Sequence, residues 1–138
     1  MALLNPLKKG IVLYGDASHE PASDNELIER AKAYMEQGRP NDALDFYAQA
    51  GCDEGIEEIS RRALDEGDYF LFYRASVVIG REPDAGELTS LAENALKAGR
   101  LVFARQAFEA AGDKKGLRRV EDELRKGGFI PTEAPKES

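Results

Sequence analysis

ELIERAKAYMEQGRPNDALDFYAQAG, residues 26–51, and ELTSLAENALKAGRLVFARQAFEAAG, residues 87–112, are one pattern written twice. Sliding the chain on itself by about 61 residues, without a gap, sets Glu26 on Glu87, Leu27 on Leu88, Gly38 on Gly99, Arg39 on Arg100, Ala43 on Ala104, Ala50 on Ala111 and Gly51 on Gly112. The match continues past both stretches, with Gly55 on Gly116. A further copy lies between them, where Ile56, Ala63, Leu64, Gly67 and Gly80 take the places of Leu27, Tyr34, Met35, Gly38 and Gly51. The glycines Gly38, Gly51, Gly67, Gly80, Gly99 and Gly112 cut the chain into alternating short and long segments. Glycine is the residue most often found one step past a helix C-terminus, so each segment reads as one helix. Paired, the segments form helical hairpins of roughly thirty residues, an architecture whose usual product is a binding surface.

Local signals set the expected helix bounds. Ser23 followed by Glu26 is a capping box and opens a first helix at 24–37. Pro40, at a position where a missing amide hydrogen costs nothing, opens a second at 40–50. Asp53 and Asp68 are N-cap candidates for helices at 53–66 and 69–80. After the connection Arg81–Pro83, Asp84 with Glu87 opens a fifth at 84–98. A sixth spans 101–111, and Asp113 caps a seventh at 114–126. Apolar residues fall on single faces, as in Leu27, Ala31, Tyr34 and Met35, or Leu88, Leu91, Ala92, Ala95 and Leu96. The fourth helix, from Tyr69 through Phe70, Phe72 and Tyr73 to Ile79, has almost no polar face and is expected to be the most buried element. The seventh has a thin stripe of Leu117, Val120 and Leu124 on a charged background, which suits a terminal cap. The expected fold class is therefore all-α, an α-solenoid of about three helical hairpins with a C-terminal capping helix. Residues 1–22 form an N-terminal arm, 23–127 the repeat domain and 128–138 a disordered tail.

Composition narrows the function. With 138 residues the chain can bury a core without staples, and its single cysteine, Cys52, rules out an internal disulfide. No signal peptide pattern and no apolar run long enough to cross a bilayer are present, so a cytoplasmic protein is expected. A net charge of −7 opposes generic nucleic-acid binding. The charge is polarised: residues 20–68 hold 14 acidic and 5 basic side chains, residues 97–126 hold 9 basic and 5 acidic.

The aligned residues resemble the tetratricopeptide repeat. Leu27, Ala31, Tyr34, Gly38, Ala43, Tyr47 and Ala50 in one copy, and Leu88, Ala92, Ala95, Gly99, Ala104, Phe108 and Ala111 in another, match its signature. The middle copy matches less, with Ile56, Ser60, Ala63 and Gly67 followed by Phe72, Ser76 and Ile79. Spacings of 29 and 32 residues differ from the family's usual length, and Sel1-like repeats and vesicle-coat hairpins are similar arrays. The resemblance implies a superhelix whose concave surface is lined by the first helix of each pair. Ile28, Lys32, Glu36, Glu57, Arg61, Asp65, Thr89, Glu93, Lys97, Arg118 and Asp122 would then line the groove. The family's clamp for a C-terminal carboxylate is absent, since Ile28, Lys32, Glu58, Gly86 and Ser90 stand at its positions.

Catalytic chemistry finds little footing. His19 is the only histidine and lacks companion ligands, and Cys52 has no histidine near it in sequence, so neither a metal centre nor a nucleophile is expected. No phosphate-cradling glycine loop is present, and no cofactor is expected. The apolar stretch of Leu3, Leu4, Leu7, Ile11, Val12, Leu13 and Tyr14 reads as an arm docked on the open N-terminal end of the array, as a motif binding a partner or lipid, or as disordered chain. Removing it would expose Tyr34 and Phe46 and favour self-association through that end. The sequence thus points to a non-enzymatic protein–protein interaction module, an adaptor, scaffold or small chaperone binding a protein or peptide. A helical-repeat regulator or RNA binder using the basic C-terminal third is the alternative.

Overall fold

In a computed structural model that describes residues 22–128, those residues form seven helices and no strand: α1 (Asp24–Glu36), α2 (Pro40–Ala50), α3 (Asp53–Glu66), α4 (Tyr69–Ile79), α5 (Ala85–Lys97), α6 (Leu101–Ala111) and α7 (Lys114–Lys126). The protein is all-α over this span. The N-terminal apolar stretch, His19 and nearly all of the expected tail lie outside the described residues.

The helix starts follow the expected chemistry. Ser23 and Glu26 form a capping box, the Glu26 amide donating to Ser23 Oγ at 3.2 Å and the Ser23 amide to Glu26 Oε1 at 2.9 Å. Asp84 and Glu87 form a second, with 2.8 and 3.2 Å bonds. Asp68 accepts from the Leu71 amide and Asp113 from the Gly116 amide. One expected cap is corrected. Asp53 is already the first residue of α3, and Cys52 stands at the cap, its carbonyl accepting the Ile56 amide at 3.2 Å. The Asp53 carboxylate, with Glu54, faces the positive end of the helix dipole instead. Three helices are also shorter than expected: α1 ends at Glu36, α4 at Ile79, and α5 covers Ala85–Lys97.

The ends explain that shortening. At the close of α1 the Gly38 amide donates to Met35 O and the Arg39 amide to Tyr34 O, at 3.0 and 2.9 Å. This paired closure needs a left-handed residue between the two donors, and Gly38 has φ +73°. The five other punctuating glycines share the sign of φ, and the longer bond recurs from Cys52, Asp68, Arg81, Arg100 and Asp113 to Tyr47, Ala63, Ser76, Ala95 and Phe108. The chain therefore leaves the helix before the glycine, not at it.

The chain divides into two compact units. The first holds residues 22–61 and 74–81, and α1 packs on α2 within it. Its core contains Leu27, Ala31, Ala43, Leu44, Tyr47 and Ile59. Half-buried Arg74 donates to Asn41 Oδ1 and Asp45 Oδ1, both at 2.6 Å. The second unit holds residues 62–73 and 82–128, with α6 packed on both α5 and α7. Its core contains Phe72, Leu91, Ala95, Ala104, Phe108 and Val120. There Asn94 Nδ2 donates to Leu64 O at 2.9 Å.

The expectation that α4 is the most buried helix is overturned. Leu71, Phe72, Ala75 and Ser76 are buried, but Phe70, Tyr73 and Val77 are 55%, 52% and 61% exposed. Three-to-four-residue spacing puts these three on one helix face, so apolar composition all round did not translate into cover all round. Tyr73 instead stacks on Tyr69, ring centroids 6.0 Å apart. Tyr34 and Phe46, expected to need a covering arm, are half-buried and stack on each other at 5.5 Å.

Candidate functional site

The first unit carries a cleft of about 680 Å³ built by α1, the α2–α3 turn and α3. The α1 cap fixes where that helix starts, and three- and four-residue spacing then presents Ile28, Glu29 and Lys32 to the cleft. Its wall includes the Tyr47 ring, held in place by Gly55: a Cβ at Gly55 would run into Cδ1, Cε1 and Cζ of that ring. Glu54, Glu58 and Arg61 of α3 and the half-buried thiol of Cys52 complete the lining. Burial raises the Tyr47 pKa, and the nearby Glu58, Cys52 and Glu29 add to the shift, so this hydroxyl stays protonated. Lys32 lies 3.9 Å from Glu29, an exposed pair.

The second unit shows what the repeat can do at the same place. At the 61-residue offset Tyr47 becomes Phe108, Gly55 becomes Gly116, Lys32 becomes Glu93 and Glu58 becomes Arg119. A Cβ at Gly116 would likewise collide with the Phe108 ring. Here, however, Arg119 grips Glu93 through two hydrogen bonds of 2.8 and 3.1 Å, its guanidinium 5.9 Å from the Phe108 ring centre. The Arg119 hydrogen bond holds the Glu93 carboxyl below the usual carboxylate range, and the partnership raises the guanidinium pKa in turn. Lys32 and Glu58, the same pair with signs exchanged, make no ion pair with each other among the described residues. The position bridged in the second unit is open in the first.

No family model matches the chain, and comparison with curated proteins and with solved structures gives no match.

Of the residues expected to line a groove, Ile28, Lys32 and Arg61 meet in the cleft of the first unit. Glu36 and Glu57 belong to that unit and are exposed, outside the cleft lining. Asp65, Thr89, Glu93, Lys97, Arg118 and Asp122 belong to the second unit. Glu93 is engaged by Arg119, and Asp122 pairs with Arg125 at 3.2 Å and lines a shallow depression with Leu96, Leu101 and Lys126. Sequence reasoning missed the ring-on-glycine contacts. Their signal was Gly55 and Gly116 recurring inside helices, where glycine costs about 1 kcal/mol relative to alanine unless something needs the space. No cluster of three potential metal ligands occurs among the described residues.

Proposed function

We propose that this chain is a non-enzymatic module that binds a protein segment, and that the cleft of the first unit receives it. The observation that carries the reading is that cleft, left open at the repeat position that Glu93 and Arg119 bridge in the second unit. Its shape and lining suit a peptide: Ile28 and the Tyr47 ring offer apolar contact, while Glu29, Glu54 and Glu58 outnumber Lys32 and Arg61. The charge favours a segment carrying lysine or arginine around an apolar anchor. On this reading the helices form a divergent tetratricopeptide-like solenoid capped by α7, acting in the cytoplasm as an adaptor, scaffold or small chaperone. The identical helix closures and the repeated ring-on-glycine contact support the array.

The basic C-terminal third supports RNA binding less well. Arg119 is committed to Glu93, Arg125 to Asp122 and Lys126 to Glu123, which takes three of the nine basic side chains of residues 97–126 from the stripe that phosphates would need.

Fluorescence polarisation with peptides of matched length, basic or acidic around one apolar residue, tests the proposal. The basic set is expected to bind, and Glu54→Lys combined with Glu58→Lys to weaken it by tenfold or more, which is about 1.4 kcal/mol. Undiminished binding by the double variant, or preference for acidic peptides, would refute it.

A further inference from the structure

Helices α3 and α7 occupy equivalent places at the 61-residue offset, and wherever both carry a charge the two are opposite. Asp53, Glu54, Glu57, Glu58, Arg61, Arg62 and Asp65 meet Lys114, Lys115, Arg118, Arg119, Asp122, Glu123 and Lys126. All fourteen side chains are exposed. The residues facing inward keep their character, Gly55 with Gly116, Ile56 with Leu117 and Ile59 with Val120. A duplicated helix has thus kept its packing face and reversed its solvent face.

We infer that the partner of the acidic α3 face is the basic α7 face of a second copy of this chain. The fit is directional. With the two helices parallel and in register, the acidic first turns of α3, Asp53 to Glu58, lie against the basic first turns of α7, Lys114 to Arg119; antiparallel, Glu57 and Glu58 would face Asp122 and Glu123, like against like. Asp53, Glu54 and Glu57 on one side and Lys114, Lys115 and Arg118 on the other hold no ion pair among the described residues, so they are available to a neighbour. Because two different faces meet, each copy carries both halves of the contact and can join a neighbour through either. Exposed ion pairs are individually weak and screened by salt, so the assembly is a low-affinity, ionic-strength-dependent one. This goes beyond the cleft reading; the α3 face shares Glu54, Glu58 and Arg61 with the cleft, whereas Asp53 and Glu57 lie outside its lining and separate the two.

Sedimentation velocity of the full chain decides it. At about 0.01 M salt, where charges act over about 30 Å, the average mass should climb with concentration above that of a monomer. At about 1 M salt, with a screening length of about 3 Å, it should return to that of a monomer. The acid-reversed variant (Asp53→Lys with Glu57→Lys) and the base-reversed variant (Lys114→Glu with Arg118→Glu) should each be monomeric alone, and their equimolar mixture should reassociate. A wild-type chain that stays monomeric at low salt, or a mixture that remains monomeric, overturns the inference. Circular dichroism verifies that both variants keep their helices, and the wild-type salt series stands without them. Peptide capture by the cleft should survive in both, so loss of self-association with capture intact separates this proposal from the proposed function.

Discussion

Gly55 and Gly116 reverse an ordinary rule. Replacing a helical glycine with alanine usually stabilises, because alanine loses less backbone freedom on folding. Here the added methyl would enter the Tyr47 or Phe108 ring, and neither ring has room to retreat, being 4% and 0% exposed. Gly55→Ala and Gly116→Ala should therefore each destabilise the protein by about 1–3 kcal/mol, measured as a lowered urea midpoint at unchanged slope. The Glu93 carboxylate makes a second prediction. Its folded pKa lies below the unfolded value of about 4.3, so the stability it contributes is present above that pH and is lost as pH falls through the lowered folded value. Glu93→Gln should consequently lose less stability between pH 7 and pH 3 than the wild type does. Thermal melts at both pH values check this, and equal losses would remove the bidentate pair from the account of acid sensitivity.

Helix starts and stops were the most legible part of the sequence, because caps and glycines act through bonds that span only a few residues. Ser23 with Glu26, Asp84 with Glu87, and Pro40 at the first position of α2 stand where their chemistry requires. Helix α4 was not legible in the same way. Its composition said only that it could be buried on every side, whereas cover depends on neighbours distant in sequence, and the described residues supply them for Leu71, Phe72 and Ala75 but not for Phe70, Tyr73 and Val77. The two faces should answer mutation differently: Phe72→Ala should cost about 3–5 kcal/mol, and Phe70→Ser should fall within about 0.5 kcal/mol of wild type. Matched losses in chemical denaturation would mean that Phe70 is covered in solution. Helix ends offer a graded comparison as well. Gly38→Ala meets only the left-handed backbone penalty of about 1–2 kcal/mol, with open space around the new methyl. Gly67→Ala meets that penalty and the backbone of Ala95, so its loss should be the larger.

At the scale of the whole molecule, α3 and α4 each run from one unit into the other, since the division falls between Arg61 and Arg62 and again between Tyr73 and Arg74. Neither unit can lose its helices without unwinding part of the other's, which predicts one cooperative transition. Gly55→Ala in the first unit and Gly116→Ala in the second should both shift that transition as a whole. A second step in calorimetry would show that the units melt apart. The candidate site was only partly legible for a related reason: Ile28, Lys32 and Arg61 could be placed on helix faces by spacing, but whether a repeat position is open or bridged turned on the exchange of Lys32 and Glu58 for Glu93 and Arg119, which becomes visible once the helices are assembled. The glycine contacts also give each unit a native spectroscopic label. A proton on Gly55 points at the Tyr47 ring and one on Gly116 at the Phe108 ring, so ring currents should displace both from the crowded glycine region of a proton–carbon spectrum. With one resonance in α3 and one in α7, folding, peptide binding and assembly could each be followed at a separate address, in an unmodified chain that contains no tryptophan.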